Sequence, residues 1–432
     1  MSRLSAPHFP ERAVRDRARK GTACAFPPIT SYGTTLFGAS GPGAAHPAPG
    51  DLIDAARLVP PIFMDLRLEK LIELGREPMY GDVELSTEIG GFTARAPLFV
   101  SAFGSTQIAC SDLGMAVSRQ AGRLGIPMVI GENIVPVNGY GRIGACTPLS
   151  LLGRVRAYGE ELEDGLGGVA IQQSTEDADA EVWNLVYSDP SAQPLLNSGR
   201  LAFELKVGQG AKPGIGGMTV LPRTAAAAVS EQYTTDQVFG DAASYLRSSS
   251  PGTYTEEILR QQIHLMRNNF PRARVWVKLH PGRDVRRAAA VAWRAGAHSV
   301  TVDGAEGGTG WAPTSFMDHV GLPLGECLRA IGRPPSCLLA TGRMWEGTRA
   351  VKCLALGARG VGLGRAALLA VDEDPDFGLQ RLVECMELEM RMLISALGKY
   401  EPGALGLEDL YEGGAYVDDP REALAGYDAS LR

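Results

Sequence analysis

The amino-acid sequence predicts an α/β protein, a (β/α)8 TIM barrel with an N-terminal extension and a small cap. Three observations predict it. From Ala96 onward, short β-branched apolar runs alternate with alanine-rich helical runs, the pattern of parallel βα units. The strand-like runs number eight, at 98–101, 127–130, 168–172, 202–207, 274–279, 299–302, 336–340 and 360–362, which is the count that closes a barrel. Glycines and unusual polar residues gather just after these runs, at the barrel end where βα loops carry chemistry.

Taken in order, residues 1–50 are rich in Gly, Pro and Ala and read as an N-terminal arm, with 38–50 a flexible or extended stretch that either wraps the body or a neighbouring subunit or is disordered. Residues 51–95 hold a charged helical stretch at 64–74 and an alternating strand pattern around 83–92, a small cap or base. The barrel is expected over 96–400 and a C-terminal tail over 401–432. Between the fourth and fifth strands, 221–255 is long and rich in Ala, Ser and Thr, as lids and substrate walls are.

A chain of 432 residues with 45% apolar content can bury a core of barrel size. Its net charge of −7 leaves no electrostatic footprint for nucleic acid or an anionic membrane surface. No apolar run has the length of a membrane span, and the first twenty residues are charged and lack the apolar core of a secretory signal. The expectation is a cytoplasmic protein with a small-molecule substrate, binding neither nucleic acid nor membrane, with room for self-association. The seven cysteines (Cys24, Cys110, Cys146, Cys327, Cys337, Cys353, Cys385) are scattered, none at the short spacing of a metal or cluster site. No metal is expected.

The strand ends carry the chemistry-bearing residues. After the first, Ser101-Ala102-Phe103-Gly104-Ser105-Thr106 is small enough for a planar ligand to lie against the backbone, although a tight βα turn explains the same residues. After the second, Gly131-Glu132-Asn133 sets a carboxylate at the mouth, able to move a proton or fix an ammonium group unless it is a solvated loop acid. The fourth runs through Lys206 and Gln209 to Lys212, and lysine is costly in such a pocket unless something anionic meets it. Lys278 closes the apolar fifth strand, where a snorkelling surface lysine is the alternative. His280 nearby is either a general acid or base, or part of a His280-Pro281-Gly282 turn. Glycines from Gly304 to Gly310 permit backbone amides to converge on an oxyanion or carbonyl. Thr341-Gly342-Arg343 and Gly364-Arg365 each precede a helical run, so amides, helix dipoles and Arg365 can neutralise a phosphate. A pair of helix caps with a surface arginine reads the same way.

The run from Glu204 to Gly217, ELKVGQGAKPGIGG, resembles the signature of the FMN-binding synthase domain of glutamate synthases, and matching segments recur in order over 80–400. The resemblance implies FMN as cofactor and a glutamate synthase-like, FMN-dependent oxidoreductase. Hydride would pass between flavin N5 and the C–N centre of an amine/imine pair, acting on CH–NH or CH–NH2 donors of amino-acid-like or amino-sugar-like substrates. It further implies that Lys278 faces the flavin's pyrimidine edge and stabilises the reduced form, while Lys206 and Gln209 hold flavin polar edges. Ser101, Ala102, Phe103, Gln172 and Gly308 would line the cofactor, and Gly342, Arg343, Gly364 and Arg365 would hold its phosphate. Lys212, Glu132 and Thr309 would meet substrate, with Glu132 and His280 handling protons.

The sequence departs from that family in several places. The segment where glutamate synthases carry iron–sulfur cysteines reads 366–389 with Cys385 alone, so electron delivery through a cluster is not expected. Position 1 is Met and Cys24 lies in a proline-rich arm, so no glutaminase domain is expected and ammonia or electrons would come from a separate protein. The third strand is followed by Gln172-Gln173-Ser174-Thr175-Glu176-Asp177-Ala178-Asp179 where the family has a carboxylate-holding arginine, which suggests a cationic, amine-rich or simply different substrate. Phe103 and Ile215 replace a usual methionine and a usual acid, and the 248–252 turn replaces a proline- and histidine-rich one. Alternatives are an FMN-dependent 2-hydroxy acid oxidase, a non-redox phosphate-binding barrel, and an accessory subunit.

Overall fold

A computed structural model of the protein describes residues 4–7, 9–25, 51–104, 112–132, 134, 151–174, 178, 181–230, 234–236, 244–248, 252–309, 312–313, 316 and 319–412. The 38–50 arm, residues 413–432, and Ser105, Thr106, Asn133, Gly310 and Trp311 of the strand-end runs lie outside the described residues, as do 175–177 and 249–251.

Eight parallel strands close a barrel: β1 (Leu98–Phe103), β2 (Met128–Ile130), β3 (Val169–Gln173), β4 (Leu201–Lys206), β5 (Arg274–Leu279), β6 (Ser299–Asp303), β7 (Cys337–Thr341) and β8 (Gly360–Leu363). Closure is made by β8 on β1, with Val361 opposite Leu98. Every expected strand is present, with ends displaced by at most two residues. These runs form strands because both their faces are buried: Val100, Ile130, Leu205, Val277 and Val302 point outward into the core shared with the surrounding helices. The alternate positions point inward, and their chemistry changes along the barrel axis.

At the N-terminal end, Phe99, Val129, Ala170, Ala202, Trp276 and Leu339 form a dry interior cluster with Ile89, Phe92 and Ala94. The last three belong to a hairpin, Thr87–Ile89 paired with Phe92–Ala94, into which the alternating pattern of 83–92 resolves. Phe92 lies 5.3 Å from the Trp276 ring, and the Trp276 indole N–H donates to the Gly90 carbonyl at 3.0 Å. The hairpin therefore plugs the N-terminal mouth. Two residues further along each strand the interior turns polar: Gln172, Glu204, Lys278, Thr301 and Thr341 are all buried.

Other segments pack around this frame. Within the 1–50 stretch, Glu11–Lys20 is a helix that buries Val14 and Ala18. It is held by ion pairs of Arg15 with Asp372 at 2.8 Å, Arg17 with Glu389 at 2.6 Å and Arg19 with Glu373 at 2.6 Å. Asp51 caps the short helix Leu52–Ala55, and Asp65–Leu74 forms the helix expected at 64–74. Arg57–Leu58 pairs antiparallel with Leu410–Tyr411, which ties the segment after residue 50 to the end of the described chain. The long excursion after β4 is not all loop: Met218–Pro222, Ser244–Ser248 and Thr234–Asp236 form a three-stranded antiparallel sheet with Ser244–Ser248 in the middle. No helix among the described residues is long and apolar enough to cross a membrane.

Candidate active site

The polar interior rises through the C-terminal mouth as connected groups. The deepest is Glu204, 1% exposed, which accepts from Gln172 Nε2 at 2.5 Å and from Thr301 Oγ1 at 3.4 Å. Burial pushes its carboxyl above the usual range, although Lys278 pulls against that. Above it, Lys278 Nζ lies 3.3 Å from Asp303 Oδ2. Burial alone would lower the Lys278 ammonium, but Asp303, Glu204 and Glu132 outweigh it and raise its pKa, so this lysine is a cation. Asp303 is fixed from two other sides, by the Thr341 hydroxyl at 2.8 Å and the Gly210 N–H at 2.9 Å.

The glycine at 210 is required by close approach, because a Cβ there would stand 1.9 Å from the Gly304 carbonyl oxygen. The β1 and β2 turns meet in the same manner. A Cβ on Gly104 would lie 2.0 Å from the Glu132 carbonyl oxygen, and the Gly131 N–H donates to the Phe103 carbonyl at 3.2 Å. Ser101 is buried and Ala102 and Phe103 half-buried along this edge, where β1 shifts register against β2.

A second chain of contacts crosses the mouth. Lys206 Nζ forms an ion pair with the Glu132 carboxylate and donates to Gln209 Oε1 at 2.9 Å, and Gln209 Nε2 reaches Thr309 Oγ1 at 3.5 Å. Burial alone would raise the Glu132 carboxyl; the charge and hydrogen bond of Lys206 overcome it and hold the group below the usual carboxylate range. Lys212 is 7% exposed, and burial beside Lys206 brings its pKa down to about 8. His280 sits against Gly208, with its Nδ1 buried and without a hydrogen-bond partner among the described residues. Burial lowers its pKa, so it is neutral near pH 7.

At the far side of the mouth, Gly364 precedes the helix Arg365–Glu373. The Arg365 guanidinium donates to the Glu306 carbonyl at 2.9 Å and faces no carboxylate at ion-pair distance among the described residues. Burial drops its pKa to about 10. Gly308 packs on the same side chain. After β7, Gly342 and Arg343 both take positive φ, and the Arg343 guanidinium pairs with Asp54. Arg349 joins Asp51 and Asp54, each at 2.6 Å, so the 51–55 segment is locked to the loop after β7.

The structure thus unites Lys206, Gln209, Glu132 and Thr309, and separately gathers Lys278 with Asp303. Sequence reasoning assigned no site role to Glu204 or Asp303, and it read Thr341 with the phosphate loop where the structure has its hydroxyl donating to Asp303. Strand parity was the available signal, since Glu204 lies two residues before Lys206 and so on the same face. Cys385, in the segment compared with a cluster site, is buried on the helix Gly378–Ala396 and accepts from Arg17 Nη1 at 3.3 Å. No group of three or more His, Cys, Asp or Glu side chains able to hold a metal occurs among the described residues.

Comparison with known proteins places this mouth in a lineage. The family model described as the conserved region in glutamate synthase matches residues 139–373, more than half of the chain. The chain belongs to the glutamate synthase family. It is 33% identical over 246 residues to the archaeal-type glutamate synthase [NADPH] of Thermotoga maritima, covering 54% of this chain and 46% of that protein. Against the archaeal glutamate synthase [NADPH] of Methanocaldococcus jannaschii it is 31% identical over 181 residues, covering 39% and 34%. The chain spans about half the length or less of these curated relatives. The barrel also matches solved structures: a soluble mutant of (S)-mandelate dehydrogenase from Pseudomonas putida, at TM-score 0.54 and 17% identity, covers 94% of this chain and 100% of that one. A flavocytochrome b2 mutant with pyruvate bound matches at TM-score 0.53 and 17% identity, covering 87% and 82%. At these identities the likeness speaks for the fold.

Proposed function

We propose that this chain is an FMN-dependent oxidoreductase acting at the C–N centre of an amino-acid-like or amino-sugar-like small molecule. One observation carries the reading. At the C-terminal mouth the half-buried Lys206 of β4 pairs with Glu132 and the buried Lys278 of β5 pairs with Asp303, while a half-buried guanidinium with no carboxylate at ion-pair distance among the described residues stands at the start of the helix after β8. A desolvated arginine of that kind suits a phosphate, and a phosphate at a helix N-terminus gains from the dipole as well. The residues present therefore fit FMN, whose phosphate we assign to Arg365 with Gly342 and Gly364. Arg343 joins the loop after β7 to Asp54 and supplies charge behind it.

FMN, when bound, supplies hydride transfer at N5. The chain's own groups do the rest. Lys278 holds a positive charge in place, because Asp303 fixes its ammonium, and so favours negative charge on a neighbouring ring edge. Lys206 orients Glu132 and keeps it ionised, ready to accept a proton from a substrate ammonium. Ser101, Ala102, Phe103 and Gln172 wall the cofactor, and Lys212 and Thr309 receive the substrate's anionic and polar groups. The relatives' names support glutamate synthase chemistry.

The test is anaerobic mixing of the FMN-loaded protein with panels of amino acids, amino sugars and 2-hydroxy acids, followed at the flavin absorption band. Bleaching by amines supports the proposal. Bleaching by 2-hydroxy acids alone would overturn it in favour of hydroxy acid oxidation, for which the neutral His280 offers a proton acceptor.

A further inference from the structure

The N-terminal helix Glu11–Lys20 is bound to the helix whose first residue is Arg365. Arg15 Nη1 stands 2.8 Å from Asp372 Oδ2, and Arg19 Nη1 stands 2.6 Å from Glu373 Oε1, both at the far end of that helix. The chain just before Glu11 returns to the near end. There Phe9, only 8% exposed, lays its ring over the Arg365 guanidinium, with Cζ 4.4 Å from the ring centroid. Two further contacts of Arg365 come from one loop of the barrel. Its Nη2 donates to the Glu306 carbonyl at 2.9 Å, and its stem passes so close to Gly308 that a Cβ there would come within 3.0 Å of Nε.

A guanidinium at this position has a long, flexible stem and, among the described residues, no carboxylate at ion-pair distance to aim it. An aromatic face fixes its plane, excludes water from one side, and leaves the edge N–H groups free to donate. We propose that Phe9 is a positioning residue of the phosphate site, so that phosphate recognition by the barrel depends on a segment contributed from outside it. The inference rests on the FMN reading above. It adds that the N-terminal segment, fastened through Arg15 and Arg19, is part of the cofactor site rather than a structural extension.

The experiment compares FMN with riboflavin, which lacks the phosphate, by fluorescence titration of flavin-free full-length protein. The wild type is expected to prefer FMN, and Arg365→Lys to lose most of that preference, since a point charge replaces the fork. Phe9→Leu and Phe9→Met keep apolar volume without a ring. Each is expected to cut the ratio of FMN to riboflavin affinity by about three- to thirtyfold, the range of a desolvated cation–π contact, with riboflavin affinity unchanged. Phe9→Tyr is expected to retain the preference. If Arg365→Lys loses it but both Phe9 variants keep it, the inference is overturned and the phosphate reading stands. If the Phe9 variants weaken both ligands equally, the ring only packs, and the inference is likewise overturned. A wild type that binds riboflavin as well as FMN overturns the phosphate reading and this inference together.

Discussion

Replacing Lys278 by Met removes the cation from a place where its partners cannot reach water. The Lys278 and Asp303 side chains are 8% and 6% exposed, and Glu204 lies below them at 1%. Methionine matches the stem in size, so the loss is one of charge. Asp303 would keep its hydrogen bonds from Thr341 and Gly210 but lose its counter-charge at 3.3 Å. Breaking one side of a buried pair costs about 3–5 kcal/mol, most of it for the charge left behind. Adding Asp303→Asn removes that stranded charge while preserving an oxygen acceptor, so the double variant should be more stable than Lys278→Met alone, with a coupling of at least about 1 kcal/mol. Urea unfolding of wild type, both single variants and the double variant measures this. The sign with pH follows from the raised Lys278 pKa. The pair's contribution is complete below the ordinary lysine value of about 10.5 and is lost as pH rises through the higher folded value. Additive single effects, or a Lys278→Met protein as stable as wild type, would refute the reasoning.

Two further predictions concern the rim of the site. Lys212, with its pKa near 8, should bind an anionic substrate group less well as pH climbs through that value, so KM should rise above pH 8 and Lys212→Arg should abolish the rise. Its burial as a cation also costs stability below pH 8, a cost relieved between pH 8 and about 10.5, where the unfolded chain binds more protons. Glu306, pushed up from 4.5 to about 6 by burial, holds a proton in the folded state that the unfolded chain has released. Stability should therefore fall as pH rises from 4.5 to 6, by on the order of 2 kcal/mol, and Glu306→Gln should flatten that slope in thermal unfolding.

The barrel was legible because strands buried on both faces are written as continuous apolar runs, and such runs as 274–279 and 299–302 have no competing helical period. Lys206, Lys278 and Glu132 stood out as charges in apolar or glycine-rich settings. Asp303 and Glu204 were hidden by the same logic: each reads as one acid in a motif or strand, and its partners come from neighbouring strands. The helix Glu11–Lys20 has an apolar stripe of only Val14 and Ala18, and Asp372, Glu373 and Glu389, which hold its arginines, lie at the other end of the chain. Arg343 was read with the phosphate groups, and Asp54, the carboxylate that engages it, comes from the cap segment. The excursion after β4 carried no strong alternation, because its small sheet lies half-exposed rather than in the core.

The most direct measurement of the central claim is the absorption spectrum of the purified protein after equilibration with FMN and removal of free ligand, with mass identification of what is retained. A yellow protein that holds FMN stoichiometrically and bleaches to a two-electron reduced form on anaerobic photoreduction is the expected result. A colourless protein that takes up no flavin would contradict it, and the roles given to Lys278, Arg365 and Glu132 would fall together.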